Sequence, residues 1–197
     1  MFKYIALITI VSVAVAATVP GKEKNVNPTK SKIMNKTTDK KFTIKEAHKF
    51  FAIDINGKVW NFLQKKKLTQ DEKDEMEYAA HASCYHWLKA GTIVEKLRGE
   101  WLISKIYSEL GYAEPSLRHA NRCYKLTQAN LKLVKDFDIA YAYECMARAN
   151  AVNNNKADAQ KYYTKALNES KKFKNKEDLK LFLSDLKGGN WNKLILK

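Results

Sequence analysis

ANAVNNNKADAQKYYTKAL, residues 149–167, reads as a helix, a break and a second helix. Asn153, Asn154 and Asn155 interrupt two runs whose apolar residues recur at helical spacing. Asparagine suits such a break, because its short side chain can bond a free amide at a helix start. The arrangement also stands 43 residues earlier in the chain. Tyr107, Gly111, Ser116, Ala120 and Cys123 match Asn150, Asn154, Ala159, Tyr163 and Ala166 at that one offset. A repeated helix pair is therefore the unit from which to read the rest.

Outward from this unit, the pattern stays helical from residue 43 onward, and nothing alternates as a strand would. Thr43-Ile-Lys-Glu46 and Thr69-Gln-Asp-Glu72 are capping boxes, in which a hydroxyl and a carboxylate each satisfy an orphan amide. They start a first helix, running to about Lys66 with a weak point at Asn56-Gly57, and a second helix. Gly91 is expected to end the second helix in the left-handed conformation, and Gly111 ends a third over 93–110. Pro115 falls in the first turn of a fourth, where a missing amide costs nothing. Asp136 or Asp138 starts a fifth, the asparagines separate it from a sixth, and Asn175 caps a seventh that fades at Gly188-Gly189. Short turns make successive helices antiparallel.

Within each copy of the repeat the steps of 4, 5, 4 and 3 residues resemble a tetratricopeptide unit. The stretches AAHASCYHW (79–87), RGEWLISKIYSELGYAEPSLRHANRCYKL (98–126), DFDIAYAYECMARA (136–149) and GGNW (188–191) resemble a family of small all-helical, tetratricopeptide-like bacterial proteins. That resemblance implies an all-α, tetratricopeptide-like α-solenoid of about seven antiparallel helices over residues 42–191, with a tail at 192–197. It implies no reaction. Relatives of this type look cytosolic.

The N-terminus points elsewhere. Lys3 precedes an uncharged run from Tyr4 to Ala17 that ends in an A-x-A site at Ala14 and Ala16. Residues 1–17 therefore read as a signal peptide and the protein as exported, periplasmic or secreted. A start at Met34 would instead leave it cytoplasmic. Residues 18–41 hold seven lysines, two acids and no aromatic, so they read as a disordered basic linker. That linker is expected to touch anionic membrane weakly.

The net charge is +15, and lysine outnumbers arginine 32 to 4. Nucleic-acid readout leans on arginine forks and exposed aromatics, and no such block is present, so nucleic acid is not an expected partner. Cys84, Cys123 and Cys145 lack zinc-ligand spacing and read as small buried residues. No P-loop, HExxH, dinucleotide fingerprint, nucleophile elbow or EF-hand is present. No cofactor, metal ligand or catalytic residue is therefore assigned.

HASCYHW, residues 81–87, places His81 and His86 about 140° apart on a helix, so they cannot chelate one ion as an i, i+4 pair can. Met76, Ala80, Ser83 and Trp87 form one stripe of that helix, and Tyr78, His81, Tyr85 and Leu88 another. Glu100 and Tyr107 share a face of the third helix, and His119 and Arg122 share one of the fourth. Glu144 and Arg148 are i, i+4 on the fifth and are expected to pair at its surface. All four arginines fall in the third to fifth helices, either holding interhelical networks or lining a groove for a peptide carboxylate.

Three functions follow as expectations. One is a scaffold or adaptor binding a protein or peptide, with His81, Tyr85, Glu100, Tyr107, His119, Arg122, Glu144 and Arg148 as candidate contacts. The alternative is an enzyme of unknown reaction with a polar pocket from His81, Glu100, His119 and Glu144. The third is a structural envelope protein held by its basic linker.

Overall fold

A computed structural model describes residues 41–194; the expected signal peptide, Met34, all but the last residue of the linker and the last three residues of the tail lie outside the described residues. The described chain is all-α, with seven helices and no strand. The helices are α1 (Ile44–Leu63), α2 (Gln70–Ala90), α3 (Ile93–Leu110), α4 (Ala113–Ala129), α5 (Asp136–Val152), α6 (Lys156–Ser170) and α7 (Lys176–Lys187).

Both expected capping boxes form at Thr43 and Thr69, and Thr92 with Glu95 makes a third. Asn155 caps α6 through the Asp158 amide, and Asn175 caps α7 through those of Glu177 and Asp178. Asn56-Gly57 does not interrupt α1: Asn56 is buried and the helix runs through it. Gly91 is extended rather than left-handed, at φ −94° and ψ −170°. Its reason is space, because a Cβ there would lie 2.9 Å from both Glu95 Cβ and the Trp87 carbonyl oxygen.

The two copies of the repeat turn in the same way. Gly111 and Asn154 both take positive φ, at 80° and 60°. In each, the next amide reaches back to a carbonyl five residues earlier: Tyr112 to Tyr107 at 2.8 Å and Asn155 to Asn150 at 2.9 Å. This closes the open carbonyls of a helix C-terminus. Ser116, Ala120 and Cys123 are buried in the first copy, as are Ala159 and Ala166 in the second. Small residues at these steps let the helices approach closely.

Consecutive helices pack from α1 through α6, while α3 also touches α5, and α5 touches α7. Three buried clusters result: Val59, Met76 and Ile106 among α1–α3; Ala120, Met146 and Ala149 between α4 and α5; and Phe137, Tyr141 and Phe182 between α5 and α7. Trp101 of α3 packs against all three. One aromatic from each odd-numbered helix forms a row: Trp60–Trp101 at 6.0 Å, Trp101–Tyr141 at 5.2 Å and Tyr141–Phe182 at 4.9 Å between ring centres. The three cysteines are buried free thiols. No helix among the described residues is long and apolar enough to cross a membrane.

Past α7 the chain folds back. Asn190 donates to the Ser108 carbonyl at 2.9 Å, and Asn192 to that of Ala151 at 3.1 Å. The expected boundary at 192 therefore falls inside a docked segment.

Helices α2 and α3 cross closely at Gly99, where an added Cβ would stand 2.8 Å from Cys84 Sγ and 3.2 Å from Cys84 Cβ. Gly99→Ala is expected to destabilise the fold by about 1–3 kcal/mol through overpacking. The loss should be smaller in a Cys84→Ala background. Urea midpoints of the four forms test this; an equal loss in both backgrounds would refute the contact.

Candidate functional site

Two polar assemblies flank α3. The first lies where α2, α3 and α4 meet. His119, buried on α4, donates from Nδ1 to Glu100 of α3 at 2.7 Å. Tyr107 donates its hydroxyl to Glu77 at 2.7 Å, so its oxygen accepts from His81 Nε2 at 2.9 Å. The His81 and His119 rings meet edge to face, 5.4 Å apart. His81 is exposed at the surface, yet partial desolvation against its neighbours and the nearby His119 hold its pKa below the ordinary range, against the opposing pull of Glu77 and Glu100. Burial and the Glu100 charge push the Cys84 thiol up to about 11. Burial and the hydrogen bond to Glu77 push the Tyr107 phenol upward as well.

His81, Glu100, Tyr107 and His119 thus come together, but the expected fourth member of an enzymatic pocket does not. Glu144 lies on the opposite side of α3, with 1 % of its side chain exposed. Arg122 is exposed one turn along α4 from His119, and Tyr85 is exposed one turn along α2 from His81. Tyr85 belongs to a ring cluster with His48 and His86. No group of three or more His, Cys, Asp or Glu side chains among the described residues is arranged to hold a metal ion.

The second assembly is an inner ledge made by α3, α5 and α7. Glu144 and Arg148 do pair, but in the interior rather than at the surface, because the chain after α7 covers them. Glu144 also accepts from Trp101 Nε1 at 3.1 Å. Burial alone would raise its pKa; the Arg148 and Lys105 charges and these hydrogen bonds outweigh that and hold it below the ordinary value. Arg148 donates to the carbonyls of Gly188 at 2.9 Å and Asp185 at 2.5 Å, and its guanidinium lies 4.2 Å from the Trp191 ring centre. Glu109 accepts the Asn190 amide at 3.2 Å. Tyr141 donates to Asp185 at 2.6 Å, and burial raises the Asp185 pKa despite that bond.

Of the four arginines, Arg98 pairs with Asp138 at 2.8 Å and Arg148 with Glu144, so these two hold interhelical or interior networks. Arg118 and Arg122 are exposed. Sequence reasoning missed Glu77, Glu109, Trp101, Asp185 and Trp191. A signal did exist for one of them, since Trp101 and Glu144 stand at the 43-residue offset of the repeat. Comparison with known proteins finds no family model, no curated protein and no solved structure that matches the chain.

Two measurements follow. Arg148→Met leaves a buried carboxylate unpaired and is expected to cost about 3–5 kcal/mol. Glu144→Gln/Arg148→Met should cost less, because no charge is orphaned. Chemical denaturation decides, and a double variant weaker than the single would refute it. Separately, a folded His81 that resists protonation adds stability fully present above the ordinary value of 6.5 and lost as pH falls below it. Wild type should therefore lose stability relative to His81→Asn as pH falls through that range; a pH-independent difference in urea midpoints would exclude it.

Proposed function

We propose that this protein is a non-catalytic, tetratricopeptide-like scaffold that binds a protein or peptide on the inner ledge of its odd-numbered helices. The helix contacts support the repeat reading. Each odd-numbered helix from α3 on touches the next odd-numbered one, and α2 and α4 sit against their successors, as in stacked helix pairs.

The observation that carries the binding reading is the ledge's grip on polypeptide main chain. Arg148 bonds two carbonyls, Glu109 an amide, and the Ser108 carbonyl an asparagine side chain. Trp191 is clamped between the Arg148 guanidinium and the edge of Tyr163, 5.5 Å away. These contacts favour a turn with small residues and one aromatic anchor. Here the chain's own Gly188-Gly189-Asn190-Trp191 fills that place, so a partner would supply a similar segment and displace it.

Convergence of His81, Glu100 and His119 favours the enzymatic alternative, with His119 as base. Its neighbours weigh against it. The Cys84 thiol and the Tyr107 phenol are both pushed away from their reactive anions. Glu144 is sealed elsewhere. A hydrogen-bonded network that locks α2, α3 and α4 accounts for the same contacts.

A labelled peptide with the sequence of residues 186–194 tests the proposal. It is expected to bind Trp191→Ala saturably and wild type far more weakly, because the wild-type segment competes in cis. Fluorescence anisotropy reads the binding, and circular dichroism verifies the fold. A folded Trp191→Ala that ignores the peptide would overturn the reading.

A further inference from the structure

The surface of the first helix pair carries an apolar patch that the ledge does not use. Phe42, Ile44, Phe50, Phe51, Tyr85 and Leu88 are 47, 80, 52, 46, 52 and 51 % exposed. Most of the large exposed apolar side chains of the described chain lie on this pair. The rings are connected: Phe42–Phe50 at 6.1 Å, Phe50–Phe51 at 5.6 Å, Phe51–His86 at 5.4 Å and His86–Tyr85 at 5.8 Å. Contiguous exposed rings of this kind mark an interaction surface.

Charge selects the occupant. His48 Nδ1 stands 2.8 Å from His86 Nδ1, so the start of α1 lies beside the end of α2. Around that end stand Lys41, Lys45, Lys49 and Lys89, all exposed. Lys89 Nζ lies 5.2 Å from the Tyr85 ring centre. The single carboxylate among residues 41–53 and 81–91 is Glu46, which accepts from the Thr43 amide and hydroxyl in the capping box. The acids of α2, namely Asp71, Glu72, Asp74, Glu75 and Glu77, gather at its other end. The pair is thus basic and aromatic at one end, while at the other these acids stand among Lys65, Lys66, Lys67 and Lys73, with Lys65 paired to Glu72 at 2.6 Å. By sequence, the seven lysines of 18–41 lead directly into Phe42.

We propose that this end of the α1–α2 pair docks on an anionic lipid surface, the rings entering the headgroup layer and the lysines meeting its charge. Amphipathic rings at headgroup level and flexible ammonium groups beside them are the chemistry of interfacial binding. The charge-balanced far end of the pair then points away from the membrane, and the basic, aromatic end fixes the orientation. This surface lies apart from the ledge, so the two proposals stand or fall separately.

The full chain is co-sedimented with vesicles of phosphatidylcholine alone and of phosphatidylcholine mixed with phosphatidylglycerol. Phe50→Ser/Phe51→Ser is compared with Leu131→Ser/Leu133→Ser, an equally exposed pair beyond α4. All four sites are exposed, so thermal melts should be unchanged. The expected result is binding to the anionic vesicles only, reduced about tenfold or more by the first pair of changes and not by the second. Three results would overturn the proposal. Wild-type-like binding by Phe50→Ser/Phe51→Ser would assign lipid contact to the rest of the chain. Equal binding to both vesicle types would remove the anionic partner. Dimers in velocity sedimentation that dissociate with Phe50→Ser/Phe51→Ser would give the patch to a second copy.

Discussion

Arg148 is the group around which the C-terminal half is arranged. Its side chain and that of Glu144 are each 1 % exposed, and a buried ion pair repays its desolvation only when the remaining donors are satisfied. They are satisfied by chain that comes from far away. The carbonyls of Asp185 and Gly188 lie 37 and 40 residues downstream, and Trp191 covers the guanidinium face. The arginine therefore cannot be buried until α7 has docked and the chain has turned back. Packing of α5 against α7 and closure of the C-terminal turn depend on each other through this one side chain.

The same centre reaches the N-terminal half through Trp101. Its indole N–H goes to Glu144, while its ring packs against all three apolar clusters. A row of rings continues from it to Trp60 on one side and to Tyr141 and Phe182 on the other. Each odd-numbered helix thus contributes one aromatic to a shared seam. Lys105, 5.7 Å from the Trp101 ring centre, adds positive charge near a carboxylate that burial would otherwise neutralise.

Local chemistry was legible in the sequence; the closure of the chain was not. Thr43 and Thr69 announced helix starts because a capping box is complete within four residues. Gly111 and Asn154 announced matching turns for a similarly local reason, tolerance of positive φ. The stripe Met76, Ala80, Ser83 and Trp87 is buried as its period required. Glu144 and Arg148 were recognised as a pair but assigned to the surface, because what buries them arrives some forty residues later. Three of the four proposed pocket residues do converge. Glu144 fails because α5 turns that face toward α7, an orientation no spacing within α5 encodes. Gly91 was tied to a backbone conformation when its constraint is the proximity of Glu95 and the Trp87 carbonyl.

The closed ledge sets a condition on any partner. A segment tethered in cis acts at an effective concentration on the order of mM. A peptide present at micromolar concentration must therefore bind about a thousandfold more tightly than Gly188–Trp191 to replace it. Longer contact can supply that margin. A partner that also reaches Trp60 would gain what the four-residue turn lacks. The alternative route is to weaken the turn itself. Its hold on Arg148 is directed at main-chain carbonyls, but residue 189 must be glycine, because a Cβ there would stand 2.5 Å from both Arg148 Nη1 and Glu109 Oε1 at a φ of 75°. For the proposed ligand, selectivity would then reside in the glycine of the turn, in one aromatic anchor and in how far the ligand extends along α3, not in the bonds that Arg148 makes to the backbone.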